Sequence, residues 1–355
     1  MKLTELHALG TSLWVDDLSR AKLTSRGEGS LPSRIAQGAR GVTTNPSIFM
    51  AAIAGSQDYF ADIDAMKGST VDDVIEKLTS DDVRVACNLF ADLYRTSRGV
   101  DGRVSIEVDP RYARDTEKTI EQARHLWKVI NRPNLMIKVP ATREGLPAIT
   151  TLISEGISVN VTLIFSVERY EEVIDAYFDG LEKAESDLSQ IHSVASFFIS
   201  RIDSSIDPLL KEKGAGHLLG KAAVANARAA YQLFEGKKGS QRWAALSARG
   251  AHMQRPLWAS TGVKDPAYSP TLYVDSLIAP DTVNTAPQAT IDATIASGTN
   301  SGFPFNYQEV NEIFTELERL GISLSQITDE LERDGVKKFE DAWLQLIASV
   351  EKALS

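Results

Sequence analysis

One lysine stands in the middle of the apolar run Asn134-Leu135-Met136-Ile137-Lys138-Val139-Pro140-Ala141-Thr142. On a period-2 strand Lys138 faces away from Ile137 and Val139, and lysine is rarely buried without a reason. Loss of water disfavours an ammonium group, and the neutral amine attacks carbonyl carbon, the first step of Schiff-base chemistry. A surface lysine, or one snorkelling to water, is the bland alternative, so the reading depends on partners. Glu107, in Val104-Ser105-Ile106-Glu107-Val108-Asp109-Pro110, points away from Ile106 and Val108. Its carboxyl suits the proton delivery and removal that dehydrate a carbinolamine, directly or through a water. Asp16 closes the strand-like run Ser12-Leu13-Trp14-Val15-Asp16 and is the candidate base that takes a hydroxyl proton as a C–C bond breaks. Asp17 follows it directly, and parity with Trp14 favours Asp16.

Asn45, Asn160, Thr162 and Ser196 also lie within or just after apolar strands, with Asn160 and Thr162 on one face. So many buried polar groups are costly unless they meet, and one shared pocket is the economical arrangement. There Asn45 and Asn160 hold Lys138 or sugar hydroxyls without adding charge. Arg201, beside Ser196 and Ser200, offers a bidentate donor for a phosphate. For Asn45 a plain turn role competes, because Asn-Pro marks turns.

The elements that must position these groups alternate. Short strands are expected at 12–16, 41–46, 104–110, 134–142, 157–165, 192–201, 256–260 and 271–274, separated by helical stretches. Between the third and fourth, Ile120, Ala123, Trp127 and Ile130 recur at the spacing of an amphipathic helix. Crossovers of this length predict parallel pairing. A doubly wound sheet and a closed barrel both satisfy that. The count of eight, and the lack of a Gly-x-Gly-x-x-Gly or Walker loop after any strand, favour an α/β fold of the (β/α)8 TIM-barrel type with additional C-terminal helices. Catalytic groups then belong at the carboxyl ends of the strands. No repeat or Pro/Gly-rich linker divides the chain, so residues 1–355 read as one barrel domain, with 287–355 a helical extension packed on it. Ser323 and Gln326 form a capping box flanked by Ile322 and Ile327. Phe339, Trp343, Leu346 and Val350 form an apolar stripe for the barrel wall or its mouth.

Composition narrows the partners. A net charge of −10 over 355 residues argues against nucleic acid, which needs a basic footprint. The single cysteine, Cys87, excludes an intrachain disulfide, suits a reducing cytoplasm and reads as a small core residue. Residues 1–10 lack the apolar core of a signal peptide, and no run has the length of a membrane span.

Together these runs resemble the transaldolases, Schiff-base enzymes of the non-oxidative pentose phosphate pathway. The resemblance is carried by Trp14-Val15-Asp16, Gly41-Val42-Thr43-Thr44-Asn45-Pro46-Ser47, Ile106-Glu107-Val108-Asp109, Ile137-Lys138-Val139-Pro140-Ala141-Thr142, Val159-Asn160-Val161-Thr162-Leu163-Ile164-Phe165-Ser166 and Ser196-Phe197-Phe198-Ile199-Ser200-Arg201. It implies Lys138 as the Schiff-base lysine, Glu107 as a proton relay through water and Asp16 as the acid/base of aldol cleavage. It implies Asn45, Asn160 and Thr162 as pocket residues, Ser196 and Arg201 as phosphate ligands, and Phe198 lining the site. The implied reaction moves a dihydroxyacetone unit from sedoheptulose 7-phosphate or fructose 6-phosphate to glyceraldehyde 3-phosphate or erythrose 4-phosphate. It needs no metal or organic cofactor, and sugar phosphates are the expected partners of a cytoplasmic monomer or homodimer. The sequence departs from the pattern after Ala259-Ser260, where many transaldolases carry a second phosphate-binding arginine and this chain has Thr261-Gly262-Val263-Lys264. Two rivals are a fructose-6-phosphate aldolase-like enzyme and a non-catalytic sugar-phosphate binder. The former are shorter chains, usually with tyrosine in the place of Phe198, which favours transfer.

Overall fold

The computed structural model describes residues 3–297 and 302–355. Eight strands, β1 (Thr11–Asp16), β2 (Gly41–Thr43), β3 (Arg103–Glu107), β4 (Leu135–Pro140), β5 (Val159–Ile164), β6 (Ser193–Phe198), β7 (Arg255–Ala259) and β8 (Thr282–Ala286), follow one another around a closed barrel. Each pairs in parallel with its neighbours, and β8 returns to β1 through Thr11↔Thr282 to Val15↔Ala286. With helices on the crossovers this is the (β/α)8 barrel, extended at its C-terminal end by the helices Gln288–Ser297, Tyr307–Arg319 and Leu324–Leu354.

The eighth strand is not where the sequence places it. Thr271-Leu272-Tyr273-Val274 has strand-forming residues, yet Leu272–Asp275 is a single helical turn and β8 lies at Thr282–Ala286. The true strand is hidden because the barrel interior is polar at that seam. Thr282 Oγ1 bonds to Thr11 Oγ1 at 2.7 Å, Asn284 Oδ1 accepts from Thr261 Oγ1 at 3.0 Å, and Thr285 Oγ1 meets Thr43 Oγ1 at 2.6 Å. A strand with hydrogen-bonding side chains on both of its faces lacks the apolar run that betrays the others. A smaller shift affects β6, which ends at Phe198. The helix Ser200–Glu212 starts two residues later, so Arg201 sits in a helical first turn rather than a loop.

Register places the reactive groups at one level. Glu107 on β3 lies opposite Lys138 on β4, and Lys138 lies opposite Asn160 on β5. Asp16 on β1 is opposite Thr43 on β2. The β1–β2 contact depends on a missing side chain: a Cβ on Gly41 would lie 2.6 Å from the buried Trp14 indole and 2.8 Å from the Arg103 carbonyl oxygen. Gly41→Ala is therefore expected to lower stability by about 1–3 kcal/mol, the usual cost of overpacking, measured as a lower urea midpoint at unchanged slope.

The helix Leu324–Leu354 begins at Ser323, whose Oγ accepts from the Gln326 amide. It crosses onto the helices Pro46–Ile53 and Val71–Leu89 and the end of β5. Leu331, Val336, Phe339, Leu346 and Val350 are buried along it, each worth about 1.5–3 kcal/mol in transfer free energy. That anchoring makes it a fixed cover of the barrel. Gly335 lets it approach closely, because a Cβ there would meet Leu163 at 3.0 Å and Arg201 Nη1 at 3.5 Å.

Candidate active site

Inside the carboxyl end of the barrel, Lys138 is 4 % exposed and Glu107 6 %. Lys138 Nζ lies 3.1 Å from Glu107 Oε2 and donates to the Thr44 carbonyl oxygen at 2.7 Å. The amine faces a cavity of ≈ 90 Å³ lined by Asp16, Thr43, Asn45, Thr162, Ser196, Phe198, Arg201, Ala259, Ser260, Thr285 and Phe339. β1, β2, β4, β5, β6, β7 and β8, or the residues just beyond them, each contribute to it, as the barrel geometry requires.

Polar groups below the cavity are fixed by each other. Asn160 is fully enclosed, donates through Nδ2 to Ser105 Oγ at 3.0 Å and accepts at Oδ1 from Ser196 Oγ at 2.7 Å. Both ends of its amide are committed, so it positions Ser196 and does not line the cavity. Asn45 caps the helix Pro46–Ile53 by accepting from the Ile48 amide at 3.0 Å. The turn role and the pocket role therefore coexist: its oxygen is committed to the cap while the residue lines the cavity.

Two buried polar atoms lining the cavity have no hydrogen-bond partner in the protein, Thr162 Oγ1 and Arg201 Nη1. Such groups are rare in a folded interior, and both residues line the cavity. The Arg201 guanidinium lies over the Phe198 ring at 5.1 Å, and Phe165 packs against Phe198 at 5.1 Å, so the cation is held by aromatic faces. Burial pulls the Arg201 guanidinium down, against the attraction of Asp334 and Asp16. Burial also raises the carboxyls of Asp16 and Glu107 above their ordinary range, opposed in both cases chiefly by Lys138. Thr43 Oγ1 donates to Asp16 Oδ1 at 2.7 Å and steadies it. Lys138 with Glu107 against it, and Asp16 and the Arg201 guanidinium around the same cavity, can move protons around a bound carbonyl and hold an anion.

Asp16, Asn45, Lys138, Thr162, Ser196, Phe198 and Arg201 thus share the cavity, with Glu107 against Lys138 and Asn160 beneath Ser196. Asp17 does not join them and is ion-paired with Lys22. Lys264 lines a separate cavity with Asp203, Asp207 and Tyr268, and is absent from the lining around Lys138. Sequence reasoning missed Thr43, Ser260, Thr285 and the placement of Phe339, whose ring lies 6.0 Å from Lys138 Nζ. Thr43 carried a readable signal, its position level with Asp16 on the neighbouring strand. Thr285 carried none without β8. Cys87 is a buried core residue whose thiol burial pushes up to about 12, which fits the bland reading.

Comparison with known proteins gives the family. Residues 13–350 match the family described as Transaldolase/Fructose-6-phosphate aldolase. A protein of Mycolicibacterium smegmatis named Transaldolase is 53% identical, covering 99% of this chain and 97% of its own length. Transaldolase 1 of Streptomyces avermitilis is 52% identical over 99% of this chain and 95% of its own. Transaldolase of Acidothermus cellulolyticus is 51% identical over 99% and 96%. Among the described residues no helix is long and apolar enough to cross a membrane.

Proposed function

We propose, for a chain that belongs to the transaldolase/fructose-6-phosphate aldolase family, that it transfers a dihydroxyacetone unit between sugar phosphates through an imine on Lys138. The observation that carries the reading is the buried Lys138–Glu107 pair facing a cavity shared by Asp16 and an unsatisfied Arg201.

In this reading Glu107 takes the ammonium proton and frees the Lys138 amine. The amine attacks C2 of fructose 6-phosphate or sedoheptulose 7-phosphate, forming a C–N bond as the carbonyl π bond opens, and a proton passes from the nitrogen to the oxygen to give the carbinolamine. Glu107 returns a proton to that hydroxyl, water leaves, and a protonated imine remains. Asp16 removes the proton from the C4 hydroxyl, the C3–C4 bond breaks, and its electron pair flows into the imine to give an enamine. The aldose phosphate departs with its new aldehyde. The enamine then attacks the aldehyde of glyceraldehyde 3-phosphate or erythrose 4-phosphate, Asp16 returns the proton, and hydrolysis frees Lys138. Ser196 and Arg201 hold the phosphate, Asn45 and Thr162 contact hydroxyls, and Asn160 keeps Ser196 in place.

Phe198 and Phe339 close the cavity with apolar rings. Excluding water in this way protects the enamine until an acceptor arrives, which supports transfer over simple cleavage. Product analysis with fructose 6-phosphate tests this: erythrose 4-phosphate should be required for rapid turnover, and dihydroxyacetone released equally fast without it would establish an aldolase instead. Replacing Arg201 with alanine removes a charge-assisted contact worth roughly 1.5–3 kcal/mol, so KM for phosphorylated donors should rise about tenfold to a hundredfold. Steady-state kinetics with phosphorylated and unphosphorylated ketoses would show whether the loss is confined to the former. We place the protein in the cytoplasm, as a monomer or homodimer.

A further inference from the structure

A second, larger cavity of ≈ 160 Å³ opens on the same face of the barrel, lined by Arg114, Thr142, Arg143, Glu144, Arg169 and, from the C-terminal helix, Glu332, Arg333 and Val336. Four guanidinium groups face two carboxylates there, in a chain whose net charge is −10. Arg169 is 13% exposed at its side chain and is held by Glu172 at 2.7 Å and Glu332 at 3.3 Å. The side chains of Arg114, Arg143 and Arg333 make no ion pair or hydrogen bond among the described residues, although most arginines of this chain are ion-paired. They come from three elements: the segment after β3, the segment after β4 and the C-terminal helix. Like charges gathered this way repel unless an anion lies between them.

The geometry points to a dianion site, and we propose that this rim cavity binds the phosphate group of a small molecule, separately from the phosphate position at Arg201. Planar guanidinium forks match phosphate oxygens, and three of the four guanidinium groups here, those of Arg114, Arg143 and Arg333, have no carboxylate paired to them. The helix Gly145–Ser154 starts at this cavity and adds its positive end. The bound anion bridges Arg333 to Arg143 and Arg114. Because Gly335 packs at Arg201 and Phe339 over Lys138 on the same helix, occupancy ties that helix down beside the Lys138 cavity. The inference stands on the rim residues and does not depend on the imine chemistry.

Titration calorimetry of the full chain with inorganic phosphate tests it, using wild type, the exposed pair Arg143→Ala with Arg333→Ala, and Arg201→Ala. Wild type should bind one phosphate more per chain than the double variant, and folded Arg201→Ala should keep the rim phosphate. Glycerol 3-phosphate, which has no carbonyl to form an imine, distinguishes the sources: equal rim stoichiometry means a monoester is accepted, and binding of inorganic phosphate alone means the free ion is the ligand. Identical isotherms for wild type and the double variant would overturn the site. So would the absence of rim binding at roughly 10 mM ligand, tenfold above a millimolar Kd.

Discussion

Lys138→Met leaves a folded protein with no measurable transfer between fructose 6-phosphate and erythrose 4-phosphate. Methionine fills similar apolar space in β4 and removes the only group in the cavity able to form an imine. Glu107 then loses the cation that opposes its burial, which pushes its carboxyl further up. That shift favours the uncharged carboxyl, and the circular dichroism and cooperative melting of the variant should remain those of a folded barrel. Turnover by folded Lys138→Met at even a hundredth of the wild-type rate would contradict the assignment, because no other lysine lines this cavity.

Asp16→Asn is expected to reduce kcat by ~10²–10⁴-fold, the range for loss of a general base, with a smaller change in KM. The amide oxygen can still accept from Thr43, so the geometry is kept. The pH profile should follow. Asp16 must be ionised to take the hydroxyl proton, and burial raises its carboxyl. The acid limb of kcat should therefore fall above the ordinary aspartate value of about 3.9 and vanish in the variant. Stability runs the other way. A carboxyl raised in the folded state binds more protons there than in the unfolded chain, so its ionisation disfavours folding as pH climbs through that window. Asp16→Asn lacks this cost and should be no less stable than wild type at neutral pH. Parallel kinetics on Asp17→Asn separate the neighbours: Asp17 is in a half-buried pair with Lys22 away from the cavity, so its substitution should change kcat by less than threefold or so, since the loss of an ion pair worth about 1 kcal/mol or less to stability does not touch the reacting groups.

The strands that carry chemistry were readable because each sets one polar residue among apolar neighbours. Lys138 between Ile137 and Val139, and Glu107 between Ile106 and Val108, announce both the strand and the odd residue in it. Parallel register then does the rest, bringing Glu107, Lys138 and Asn160 level. β8 was unreadable for the converse reason: Thr282, Asn284 and Thr285 are satisfied by Thr11, Thr261 and Thr43, so no apolar contrast marks the strand. Its loss concealed Thr285 as a lining residue. Asn160 shows a different gap. Its presence in the polar cluster was legible, but its work beneath Ser196 depends on which way the amide points, which no spacing reveals. The stripe at Phe339 was visible as a helix face, whereas its seat over Lys138 needed Gly335 to bring the helix down on the mouth.

The most direct test is borohydride reduction of the protein mixed with fructose 6-phosphate, followed by peptide mass spectrometry. The account predicts a single three-carbon secondary amine on Lys138, absent when reductant or ketose is omitted. An adduct on Lys264 or another lysine, or turnover with no adduct at all, would contradict it.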